Sequence, residues 1–145
     1  MKILLSVLAV LLLPLLLWQC NRTTYTPDTF PETDYLTFGS GGGYAGALTT
    51  HYLLPNGQLF TSEGIVGEKV STGKIGARKA KKFIQEYQDS LSTVQYDVPG
   101  NYYYFLEWIG AEEKHKIQWA KGQDDAPAVA ADFYEQLVAQ LPKDE

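Results

Sequence analysis

The first eighteen residues divide this chain into an address and a part that folds. Met1-Lys2 is followed by an apolar run, Ile3 to Trp18, with Ser6 its one polar residue and Pro14 near its end. A positive start, an apolar core and a change to polar residues is the order of a secretory signal. A spanning helix needs ~20 apolar residues, so the run is short for a permanent span, and Pro14 weakens it as a straight helix. The 45% hydrophobic content of the 145 residues therefore overstates what remains to build a core. What remains is one domain of ordinary size, which excludes a kinase, a TIM barrel or a two-domain dehydrogenase.

Cys20 follows directly and is the single cysteine, which excludes an internal disulfide framework and any zinc site built on several thiolates. Leu16-Leu17-Trp18-Gln19-Cys20 resembles the lipobox of bacterial lipoproteins. Leu17 holds the usual leucine position, and Gln19 stands where the pattern prefers a small residue. The resemblance implies cleavage after Gln19, acyl chains on Cys20 as the link to the membrane, and a domain in the cell envelope outside the cytoplasm. An uncleaved anchor and a plain secretory signal are the alternatives. The expected organisation is a signal over 1–19, the acylated cysteine and a flexible tether over 20–33, and one α+β domain over 34–145. The tether reads NRTTYTPDTFPET after Cys20, with no hydrophobic period.

Within the domain, Tyr35-Leu36-Thr37-Phe38 reads as a short strand ended by a glycine-rich loop, Gly39 to Gly46. Leu48 to Leu54 and Gln58 to Thr61 read as two more strands, joined at Pro55-Asn56-Gly57, with Asn-Gly supplying positive φ. The stretch Gly64 to Gly73 reads as an irregular extension of the third strand. Ala77, Ala80, Phe83, Ile84 and Tyr87 share a helical stripe, with Ser71 or Thr72 as the expected cap. Tyr102 to Ile109 is almost continuously aromatic or β-branched, as in a strand covered on both faces. His115 to Trp119 alternates and should pair with it. Asp124, Asp125 and Pro127 read as the start of a last helix, with Phe133, Leu137 and Leu141 on its stripe and Pro142 as its stop. The expected fold is thus α+β, an antiparallel sheet in the order β-β-β-α-β-β-α with both helices on one face.

The candidate chemistry is thin. Gly41 to Gly46 satisfies G-x-G-x-x-G, but a dinucleotide site needs that loop to open a helix, and a strand follows here. No Gly-Lys-Ser/Thr closes a P-loop, and the motifs that accompany a kinase loop are missing. His51 and His115 lie on predicted strands without metal-ligand spacing, no serine sits in a Gly-x-Ser-x-Gly elbow, and Cys20 is taken by the anchor. No catalytic residue, metal or cofactor is expected. A formal net charge of −5 argues against nucleic acid as a partner.

Two features read as surfaces instead. Gly41, Gly42, Gly43, Tyr44, Ala45 and Gly46 hold more glycine than a plain turn needs, and should present Tyr44 at an exposed tip. Lys74, Arg78, Lys79, Lys81 and Lys82 form the one basic cluster of an acidic chain: a solvated helix face, or a contact for anionic headgroups or an acidic partner. Tyr102, Tyr103, Tyr104, Trp108 and Trp119 invite a carbohydrate-binding reading, against which stands their use as core and cross-strand pairs.

The lipobox-like signal, Phe38 to Gly46, Tyr52 to Phe60, Pro99 to Tyr102, His115 to Trp119 and Phe133-Tyr134 with Leu137 together resemble small uncharacterised lipoproteins of Bacteroidota. More distantly, Ser40 to Gly46 followed by strand, helix, hairpin and a proline-started last helix is similar to emfourin. In that family the motif is Gly-Gly-Phe-Ala-Gly, matched by Gly42 to Gly46 with Tyr44 for the phenylalanine. The likeness implies inhibition of thermolysin-like metalloproteases. The expectation is a non-enzymatic, lipid-anchored module whose glycine loop enters a protein partner, a protease on the emfourin likeness, with adjacent strand edges adding backbone contacts. The alternatives are a sugar or small-ligand domain and a purely structural envelope protein.

Overall fold

The computed structural model describes residues 23–122 and 126–143. The expected signal, the acylation of Cys20 and the helix start at Asp124-Asp125 lie outside the described residues. The described chain is α+β. Seven strands form one sheet: β1 (Tyr35–Gly42), β2 (Ala47–Leu53), β3 (Gln58–Glu63), β4 (Val70–Lys74), β5 (Asp97–Val98), β6 (Tyr102–Ile109) and β7 (Lys114–Ala120). The helices are α1 (Ala77–Ser90), between β4 and β5, and α2 (Ala128–Val138), after β7. Across the sheet the strands lie in the order β4-β3-β2-β1-β6-β7-β5.

The expected order β-β-β-α-β-β-α is corrected at two places. Residues 70–74 are a separate edge strand, antiparallel to β3 with an irregularity at Leu59/Phe60. Asp97–Val98 adds a second edge, parallel to β7, so the sheet is not purely antiparallel. Neither carries a local pattern, since β5 is a two-residue pairing and β4 holds only Val70 as a large apolar side chain. The chain's first strand is central, paired to β2 in sequence and to β6 at a separation of about 70 residues.

Alternation sorts the sheet into two faces. Leu36 and Phe38 on β1, Leu53, Leu59, Leu106, Trp108, Ile117 and Trp119 share one core with Ala80, Phe83, Ile84 and Tyr87 of α1 and Ala130, Phe133 and Leu137 of α2. Both helices therefore cover the same face. Tyr134 of α2 packs on Tyr104, Trp119 and Phe38. Burying each large side chain there contributes roughly 1.5–3 kcal/mol. The strand Tyr102–Ile109 is thus covered by helices on one side only. Helix α1 starts behind Gly76 with no side-chain cap, because Ser71 and Thr72 are spent in β4. Pro127 stands at the N-cap of α2, which ends at Val138, short of Pro142.

The segment expected as a tether is, from Thr23 onward, laid against the open face of the sheet. Gln58 exchanges two hydrogen bonds with the backbone of Tyr25: its Oε1 accepts from the Tyr25 N–H at 2.7 Å, and its Nε2 donates to the Tyr25 carbonyl at 2.9 Å. Asn56 Nδ2 donates to the Thr23 carbonyl at 2.7 Å. Phe30 then stands edge-on to Tyr35, Tyr52 and Phe60, with centroids 5.1–5.3 Å apart, under the Lys69 ammonium. A segment poor in hydrophobics is ordered here because its few aromatic and backbone groups find partners that lie far away in sequence.

Candidate functional site

The two turns of the β1-β2-β3 meander lie at opposite ends of the sheet. At one end the Gly57 N–H bonds the Leu54 carbonyl, with Pro55 and Asn56 between them. Only Gly57 takes positive φ (+90°), so the Asn56 backbone stays in the ordinary region and its side chain is free to turn inward. Asn56 Oδ1 accepts from the Gln58 N–H at 2.9 Å while Nδ2 serves Thr23 and Gln58 Oε1. This turn is used internally.

At the other end the strand runs further than expected. Gly39 to Gly42 are part of β1, so the expected loop Gly41 to Gly46 shrinks to a turn at Gly43-Tyr44-Ala45-Gly46, closed by Gly46 N–H to Gly43 carbonyl at 2.9 Å. The strand glycines have a packing reason. Gly39 and Gly41 face Phe105 and Tyr103 in register, and a Cβ on Gly41 would stand 2.6 Å from the Tyr103 hydroxyl. The rings lie over the bare backbone, which keeps these positions paired in spite of glycine's entropy. Gly42 takes φ +104°, and the Gly43 N–H donates to the Asn101 carbonyl at 2.6 Å.

Tyr44 is the product of this geometry. Its side chain is fully exposed, with relative exposure 108%, between Gly43 and Gly46, both at positive φ. The β3–β4 loop reaches the same end, where the Gly64 N–H bonds the Leu48 carbonyl at 2.7 Å, and it exposes Ile65 and Val66. Tyr102, half exposed, lies across Gly43. Four large apolar side chains are thus presented at one end. Sequence reasoning found Tyr44 but missed Ile65 and Val66; their signal was two β-branched apolar residues between Gly64 and Gly67. The loop's neighbours offer no free strand edge, since β1 and β2 are both paired on two sides. The expected edge contribution is corrected accordingly.

The open face carries a cleft of about 510 Å³, bordered by Gly64 to Gly67 of the β3–β4 loop. Tyr35, Tyr52, Tyr103 and Phe105 line it together with Glu107 and Lys116. Of the aromatics expected near a ligand only Tyr103 is there; Trp108 and Trp119 are core residues under the helices.

Both histidines are structural partners. His115 Nε2 bonds the Val94 carbonyl at 2.9 Å, which places a proton on that nitrogen, and its Nδ1 lies 2.8 Å from the Tyr87 hydroxyl. Burial, with a smaller contribution from Glu107, pushes the Tyr87 hydroxyl well above the usual phenol range. Burial also pushes Tyr134 up to about 12. His51 Nδ1 pairs with Thr61 Oγ1 at 2.9 Å, and burial holds its ring below the usual imidazole range. Among the described residues no group of three or more His, Cys, Asp or Glu side chains converges as a metal site would require.

The basic cluster lies around the Asn56 end. Lys74 is opposite Gln58 in the β3–β4 register, and the Ile75 N–H bonds the Gly57 carbonyl at 2.8 Å. Arg78, Lys79, Lys81 and Lys82 follow in the first half of α1, all exposed, with no acidic residue in its first turn.

No protein-family model matches the chain, and no curated protein matches it. Among the described residues no helix is long and apolar enough to cross a membrane.

Proposed function

We propose that this chain is a non-enzymatic, lipid-anchored envelope protein that binds a protein partner through the end of the sheet bearing Tyr44. The observation that carries the reading is the complete exposure of Tyr44 on a turn whose backbone is fixed by glycine, with Ile65, Val66 and Tyr102 presented at the same end. An exposed aromatic costs a free protein solubility without adding to its core, while aromatic anchors dominate protein interfaces. The emfourin likeness gives the partner a class, a thermolysin-like metalloprotease. Acyl chains on Cys20 supply the membrane link, and palmitate incorporation that disappears in Cys20→Ser is its direct test.

The binding test is Tyr44→Ala in the full chain, with crosslinking and mass spectrometry in native cells and a thermolysin inhibition assay beside it. Loss of the captured partner at unchanged melting temperature supports the reading. An unchanged partner set overturns it.

The cleft favours a second reading, a sugar or other hydroxyl-rich small ligand stacked on the open face. Tyr103 and Phe105 offer rings, and Thr37, Thr50 and Ser62 line the same cleft with hydroxyls. A sugar titration that shifts the NMR signals of Tyr103 and Phe105 supports it. Shifts confined to other residues, or none, remove it.

A further inference from the structure

From the place where Thr23 is held, we infer that the corner formed by Lys74 and the first half of α1 docks on anionic lipid headgroups, so that Tyr44 points away from the membrane. The inference rests on the membrane-anchored reading of the N-terminus. It holds whether the link is an acylated Cys20 or an uncleaved apolar run.

The reach of the tether decides the geometry. A free segment from Cys20 to Asp34 would span up to roughly 45 Å and let the domain float clear of the bilayer. The chain is instead pinned from Thr23 by Asn56 and Gln58. Two residues, or three Cα–Cα steps, then separate Thr23 from Cys20, a reach of roughly 10 Å, which is close to a Debye length at physiological salt. Charges at the Asn56 end are therefore held where a surface potential acts on them.

The charges there are the basic cluster. Gln58, which grips Tyr25, is the register partner of Lys74, and α1 starts beside Gly57. From there α1 crosses the same end of the sheet, because Tyr87 near its far end reaches His115 at the start of β7. Arg78, Lys79, Lys81 and Lys82 thus project from an element laid along the end that holds Thr23. Arg78 and Lys79, in the first turn of α1, work against helix stability, since cations are unfavourable at the positive pole of a helix. A solvated helix face gains nothing from placing them there, whereas a contact with an anionic surface does. The acidic groups of this end are Asp28, Glu32 and Asp34 on the pinned segment, and Glu112 and Glu113 in the β6–β7 turn. The β6–β7 turn and Asp34, whose N–H bonds the Ile109 carbonyl, lie away from β4, and Lys114 and Lys116 offset part of their charge, so the end is strongly basic on the β4 side and only mildly acidic on the other. The domain should therefore lean on its β4–α1 corner rather than sit flat.

The test uses the full chain reconstituted in vesicles of phosphatidylcholine, with and without phosphatidylglycerol. Lysine acetylation rates are read by mass spectrometry. Lys74, Lys79, Lys81 and Lys82 should be protected several-fold in the anionic vesicles only, with the protection removed by high salt. Lys121, at the Tyr44 end, should react alike in both. Equal rates at the basic cluster in the two vesicle types, or matching protection of Lys121, overturn the inference. Asn56→Ala combined with Gln58→Ala should release Thr23 and Tyr25 and lose the protection with the protein still membrane-bound; retained protection also overturns it. Palmitate labelling reads the anchor separately. Acylation without protection defeats the docking alone, and protection without acylation defeats the acylated form of the anchor alone.

Discussion

The two turns of the meander use glycine in opposite ways. At Pro55-Asn56-Gly57 the turn is wrapped by the rest of the molecule: Asn56 holds the incoming chain, and the Ile75 carbonyl would stand 2.1 Å from a Cβ on Gly57. At Gly43-Tyr44-Ala45-Gly46 nothing lies within 4 Å of the equivalent point on Gly46, and the largest side chain of the turn points into solvent. Two turns that both rely on positive-φ glycine thus yield one that organises the fold and one that leaves a surface unspent. The difference is set by what the sequence beyond each turn supplies: Ile75 and Thr23 around one, and at the other Asn101 and Tyr102, which hold Gly42 and Gly43 but leave Tyr44 and Gly46 open.

Alanine at the two glycines breaks or sharpens this contrast. Gly57→Ala should cost about 2–4 kcal/mol, from positive φ plus the collision with the Ile75 carbonyl. Gly46→Ala meets open space at φ +61° and should cost only about 1 kcal/mol. Urea unfolding of the pair measures both, and equal losses would show that the first turn is no more engaged than the second. Next in size, Gln58→Ala should cost about 1–2 kcal/mol and speed amide exchange at Tyr25, whose N–H loses its acceptor. Exchange unchanged at Tyr25 would mean that Gln58 does not hold that segment.

His51, midway between the turns on β2, reports on the sheet they share. Its folded pKa is depressed by burial, so the unfolded chain binds the proton first as pH falls. The stability due to the neutral ring is complete above about pH 6.5 and is lost as pH drops from there through the lower folded value. His51→Gln should flatten that part of the melting temperature against pH, and parallel curves would remove His51 as the cause. Smallest of all, Tyr44→Ala should leave stability within about 0.5 kcal/mol, as for any exposed side chain away from packing. A larger loss would mean that the ring packs at home and does not wait for a partner.

Much of the middle of the fold was legible. The period of Ala80, Phe83, Ile84 and Tyr87 and the alternation of His115 to Trp119 are local signals, and both elements stand where the sequence puts them. The strand glycines were not legible as strand. Gly39 and Gly41 have low β-propensity, and only Phe105 and Tyr103, over sixty residues away, make them a paired surface. The candidate site was legible in Tyr44 and in the lysines as residues. Their arrangement at opposite ends was not, because it depends on β-pairing and on where α1 crosses the sheet.

The sequence by itself determined the split between an apolar run ending at Trp18 and a mixed α+β part, because length, periodicity and turn residues act locally. Only the tertiary structure decided that residues 23–33 pack on the sheet, that β1 lies at the sheet's centre, and that the basic cluster sits at the end that holds Thr23. Each of those rests on contacts between groups distant in sequence, such as Gln58 with Tyr25 or Gly41 with Tyr103, whose energy exists only once the chain has closed on itself.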